Sequence, residues 1–296
     1  MLFAEAQRLV RWHYQWIIVH EFLPATVGQA MLDSVLNEPC QIYDWDNLPF
    51  IPVEFSVAAY RFGHSQVRPR YLANFGPPGG PPFGAPIFDF GLDAEDKDPE
   101  DLRGGKRAAR RFIDWQGFFD FDGQSATRNK EIDTTLSTAL FKLLGIPEGQ
   151  QRSLAQRNLL RGLAFGLPSG QSVARHLGLE PLTAADLADI GAVDLRLATA
   201  TPLWFYILRE AKVQGEGRRL GEVGGRIVAE VLVGLLKGDR SSYLRQHPNW
   251  RPEGGSFAMA DLLRKAGVVG ARPAAAAGGA GGAGPGVPIA AAPPGS

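Results

Sequence analysis

His64 lies in the run Tyr60-Arg61-Phe62-Gly63-His64-Ser65. An arginine and a histidine three residues apart share one helical face, so an imidazole can take a metal while a guanidinium reaches a carboxylate beside it. That pairing suits haem, with iron on the imidazole nitrogen and a propionate on the guanidinium fork. Gly63, directly before the histidine, lets a flat macrocycle or a second helix come close, at some cost in helix propensity. The same spacing also belongs to an ordinary core or surface histidine beside an arginine, the commoner case for a lone helical histidine.

The segment that must present this pair reads as a helix from Val53 to about Val67, opened by Pro52 and closed before Pro69. A longer helix is expected from Leu2 to Leu23, where apolar residues recur at three and four until Pro24. From Asn74 to Asp122 the Gly/Pro run Gly76-Pro77-Pro78-Gly79-Gly80-Pro81-Pro82 forbids helix. Phe88, Phe90, Phe112, Trp115, Phe118 and Phe119 in the same stretch mark an ordered irregular excursion, since disordered segments are poor in aromatics. Helical periodicity returns at Leu136–Leu144, Ser153–Leu163, Gln171–Leu177, Ala184–Ile190, Pro202–Val213, Val223–Leu236 and Phe257–Ala266. The fold class is mainly α, with one domain over 1–272. The Ala/Gly/Pro-rich tail, 273–296, has too little apolar surface to offset its ordering entropy and is expected to be disordered.

Composition removes several classes of function. The 31 basic and 31 acidic residues cancel without a basic stripe, so no nucleic-acid partner is expected. Cys40 is the sole cysteine, which excludes an internal disulfide, and no Cys/His cluster has zinc spacing. No apolar run approaches the roughly 20 residues of a membrane span, and the start lacks the order of a signal peptide, leaving localisation undefined.

The stretch Glu54-Phe-Ser-Val-Ala-Ala-Tyr-Arg-Phe-Gly-His64-Ser resembles the proximal-histidine helix of the animal-type haem peroxidases, the peroxidase-cyclooxygenase superfamily. Further similar segments follow the family's order: the Phe22-Leu23-Pro24 helix ending, Asp101-Leu102-Arg103-Gly104, Ile113-Asp114-Trp115, Thr201-Pro202-Leu203-Trp204 and Leu220-Gly221-Glu222-Val223-Gly224. The resemblance implies a multi-helix peroxidase domain, haem b with His64 as axial iron ligand, and Arg61 on a propionate. Asn158-Leu-Leu-Arg161-Gly-Leu-Ala-Phe-Gly166-Leu167-Pro168 is similar to the family segment in which an Asn accepts a hydrogen bond from the proximal histidine and an Arg lies near the haem edge. Such a partner for Nδ1–H fixes the tautomer of a ligating imidazole. On sequence alone Asn158 equally reads as the N-cap of its helix. Oxygenase members carry Tyr three residues before the histidine; here that position is Arg61, which favours the peroxidase branch. The implied activity is reduction of hydrogen peroxide coupled to one-electron oxidation of a small organic donor, a response to oxidative stress.

That activity also needs a distal base and a distal cation. The family supplies them from a His-Asp pair, whose Asp helps hold calcium, and an Arg, all ahead of the helix that here begins at Leu2. His13, His20, His64, His176 and His247 are followed by Tyr, Glu, Ser, Leu and Pro, so no catalytic residue is assigned and the calcium site is expected to be missing. His13 and His20, seven apart on one helix, are read as the edge of its packed stripe rather than as substitutes. The chain therefore reads as the proximal part of a member, through a truncated gene, a misplaced start or a partner polypeptide that supplies the distal half. Three functions stay open: a peroxidase impaired without distal residues, a non-catalytic haem-binding module, and a helical remnant without haem. Trp12, Trp16, Trp115 and Trp204 read as packing anchors, Arg107, Arg110 and Arg111 as a solvated face, and the acidic stretch from Asp93 to Asp101 as exposed loop.

Overall fold

The computed structural model describes residues 2–45, 48–76, 80–88, 101–102, 112–121, 126–269 and 287–288. The chain divides into two compact units, one of 1–65, 131–134 and 158–259, the other of 66–130, 135–157 and 260–296. It is mainly helical, as expected from the periodicity.

In the first unit α1 (Leu2–Ile17) turns Trp12, Gln15, Trp16 and Ile17 inward. A π-helical turn, Ile18–Phe22, then leads into α2 (Leu23–Val27), so the helical path does not stop at Leu23 as its proline suggested. The Leu23 N–H reaches back five residues to the Ile18 carbonyl. This wide turn accommodates Pro24, which lacks an N–H and whose ring would clash in a regular α-turn. Gly28, at φ +85°, separates α2 from α3 (Gln29–Asn37).

Helix α4 (Leu154–Ala164) belongs to this unit from Asn158 onward, and α5 (Gly170–His176), α6 (Ala188–Gly191), α7 (Leu195–Thr199), α8 (Leu203–Gly215), α9 (Glu222–Gly238) and α10 (Tyr243–Gln246) complete it. Every residue of α8 from Leu203 to Leu208 is buried, as is most of α9, the pattern of helices enclosed on all sides. Each carries one buried carboxylate with a positioning task. Glu210 accepts the N–H groups of Val223 and Gly224 at 3.0 Å, capping the start of α9. Burial pushes its pKa up to about 7, against the opposing pull of those two donors. Glu230 accepts the N–H groups of Gln41, Ile42 and Tyr43 at 2.9–3.0 Å and so fixes the extended chain that leads to His64. Tyr43 then packs its ring edge against Gly234, where a Cβ would come within 2.4 Å of it.

In the second unit β1 (Arg70–Asn74) and β2 (Phe83–Pro86) form an antiparallel pair with a bulge between Leu72 and Asn74. The excursion is thus partly stranded, which its Gly/Pro content had hidden. Asp114 holds the end of β1, donating its N–H to Ala73 and accepting that of Phe75. The helix expected over 136–144 is instead β3 (Thr135–Leu136) and a 3-10 turn, Thr138–Phe141; β-branched Thr134, Thr135 and Thr138 and the extended Ser137 favour this path. β3 pairs with β4 (Val287–Pro288), and α11 is Met259–Lys265. The rest of the expected disordered tail, Arg103 to Arg111 and residues 93–100 lie outside the described residues. Among the described residues no helix is long and apolar enough to cross a membrane.

Candidate functional site

The segment bearing His64 is not the regular helix that its sequence suggests. It runs as a π-helical turn, Glu54–Ala58, followed by a 3-10 turn, Ala59–His64, with Ala58 at φ −125°, ψ −73° between them. Ala58 and Ala59 are fully buried, so the chain is packed tightly at the point where its winding changes. Tyr60 stacks on Phe55 at 4.7 Å, and the Arg61 Nε–H donates to the Ser56 carbonyl at 3.0 Å. With three residues per turn Arg61 and His64 are nearly eclipsed, closer in direction than an α-helix would bring them. From α8 the Trp204 indole N–H donates to the Arg61 carbonyl at 3.3 Å and anchors this winding to the core.

Asn158, 94 residues further on, meets both side chains. It lies fully buried inside α4, not before its first turn, which removes the N-cap reading. Its Nδ2 is 2.9 Å from His64 Nδ1, and Arg61 Nη1 donates to its Oδ1 at 2.7 Å. A guanidinium has only donors, so Arg61 must take the amide oxygen and leave the amide N–H to His64. Nδ1 is then an acceptor, and the neutral imidazole carries its proton on Nε2. This is the reverse of the bond expected from the resemblance, because Arg61 competes for the oxygen. Arg161 follows one turn after Asn158, exposed, with its guanidinium 5.3 Å from the Phe165 ring.

Burial and one neighbouring cation set the protonation of this imidazole. Burial first, and then Arg61, push the His64 pKa down to about 4, so the ring is neutral and competent as a ligand at neutral pH. Burial and then Arg161 lower that of Arg61. Since an unfolded histidine titrates near 6.5, the unfolded chain takes up the proton first as pH falls. Stability is therefore expected to be intact above about pH 6.5 and to decline towards pH 4, by up to about 3 kcal/mol from this group. Denaturant unfolding at several pH values checks this: His64→Gln should flatten that part of the profile, and parallel profiles would contradict it.

The donor set fits a macrocycle better than a bare ion. Among the described residues no three His, Cys, Asp or Glu side chains gather as a metal site. One neutral imidazole with two nearby guanidiniums suits an iron that arrives with four ring nitrogens and two carboxylates. His13 packs on Trp250 and Phe257, and His20 stacks on Trp16 at 3.6 Å with the Tyr243 hydroxyl 3.4 Å from its Nε2. Both serve an aromatic cluster, as their helix stripe suggested.

The model of the family described as animal haem peroxidase matches residues 1–247. The chain belongs to the animal haem peroxidase family. Peroxinectin A of Dictyostelium discoideum is 26% identical over 251 residues, 82% of this chain and 42% of that protein. A peroxidase-like protein of Margaritifera margaritifera is 39% identical over 72 residues, 23% of this chain and 9% of that protein. Among solved structures, peroxidase A from D. discoideum superposes with a TM-score of 0.58 at 22% identity, over 90% of this chain and 49% of that one, which establishes a shared fold. The chain thus spans about half the length of these relatives or less. Family membership was legible in the proximal motif and Trp204 was legible as a packing anchor, whereas the Arg61–Asn158 bond and the Trp204 bond to the Arg61 carbonyl were not.

Proposed function

We propose that the chain binds haem b through His64 and contributes the proximal half of a peroxidase site. The observation that carries this reading is the partly buried constellation of Arg61, Asn158 and His64, which joins two distant segments at 2.7 and 2.9 Å. Bound there, haem would supply two-electron reduction of hydrogen peroxide followed by one-electron oxidation of a small organic donor. The chain's own task is to hold the axial imidazole. To give Nε2 to iron, His64 must carry its proton on Nδ1 and find an acceptor for it. Half a turn of the Asn158 amide supplies that acceptor, provided Arg61 releases the oxygen. A propionate offers Arg61 a better partner than a neutral amide, since a charged acceptor makes the stronger bond. Arg161, exposed one turn after Asn158, would take a second carboxylate. Distal groups would come from a further polypeptide segment, in cis or in trans.

Absorbance of the haem-supplemented chain tests the assignment. A histidine-ligated Soret band is expected, lost in His64→Ala and kept in His13→Ala, His20→Ala and His176→Ala. Loss in one of those three with retention in His64→Ala would place the ligand elsewhere.

A further inference from the structure

Away from the His64 constellation the first unit holds a cleft of about 460 Å³. Ile42, Phe50, Ile227 and Val231 give it apolar walls, and Glu54, Ser172 and His176 are its polar lining. The volume is that of a small-molecule site, large enough for a bicyclic ring system. Apolar walls favour a ring or hydrocarbon body by burial. Its charge is one-sided: no lysine or arginine lines it, and among the described residues Glu54 has no ion-pair partner. An anion entering there would lose hydration without a compensating cation, whereas an ammonium group donates a charge-assisted hydrogen bond to the carboxylate.

Two of its walls belong to the segments that meet at His64. Glu54 opens the π-helical turn that continues into the 3-10 turn of Arg61 and His64. Pro168, also on the lining, follows α4, the helix of Asn158. We infer that this cleft is a binding site for an amphipathic amine, with its apolar body between Ile227 and Val231 and its ammonium group on Glu54.

The test uses the whole chain without haem, so it stands apart from the peroxidase reading and fails independently of it. Titration calorimetry compares 1-naphthylmethylamine with 1-naphthylmethanol and 1-naphthoate, which share the ring and differ in charge. The amine is expected to bind at least about tenfold more tightly than the carboxylate, the effect of one charge-assisted hydrogen bond. Glu54→Gln should weaken the amine about tenfold and leave the alcohol nearly unchanged. Ser172→Trp, at an exposed position on the lining, should block all three while the circular dichroism spectrum is retained. Equal affinity for amine and carboxylate, no amine binding at millimolar concentration, or amine binding that survives both substitutions overturns the proposal.

Discussion

Adding the distal polypeptide segment of a complete relative to the haem-loaded chain is expected to raise oxidation of a small phenol by about 10²–10⁴-fold. That is the usual contribution of a residue positioned to move a proton in the transition state, and a fixed cation for the developing negative charge adds to it. The 296 residues contain no His-Asp pair, and His13 and His20 are committed to Trp16, Trp250 and Phe257. Steady-state rates with and without the added segment measure the effect. A chain that oxidises donors alone as fast as a complete peroxidase would mean that one of its own residues performs the distal work. His20 would be the first suspect, tested by His20→Ala, because burial and then Arg251 lower its pKa and leave it a neutral proton acceptor.

Removing the Asn158 side chain should act through His64. Asn158→Ala leaves His64 Nδ1 without its partner and Arg61 without its amide acceptor. Haem should still bind, with affinity or activity reduced about 10–100-fold, the common cost of losing the group that orients a metal-ligating histidine. Resonance Raman of the ferrous form reads the Fe–His stretching frequency directly and is expected to shift. Arg61→Gln should weaken haem binding by removing the propionate's partner while leaving that frequency close to the parent value. An unchanged frequency in Asn158→Ala would reduce the asparagine to a structural role.

Much of this was legible before any coordinates. Helices α4, α5, α8, α9 and α11 fall within two residues of their expected bounds, because apolar periodicity reflects the burial that forms a helix. The misjudged places share a different cause. At Pro24 and at Ala58 the backbone changes its winding, and i→i+5 turns leave no periodic trace in side-chain type. The 136–144 segment looked helical from its leucines, yet its threonines and its strand pairing decide otherwise. Of the site, His64 and Asn158 were named by their segments. The direction of the hydrogen bond between them was not, since it depends on Arg61 taking the amide oxygen, a competition across 97 residues of chain.

The central claim is that His64 is the axial ligand, and chemical rescue tests it most directly. His64→Gly should bind haem without a histidine-ligated Soret band, and added imidazole, filling the space of the lost side chain, should restore that band in a saturable manner. A histidine-ligated spectrum in His64→Gly before imidazole is added would contradict the assignment.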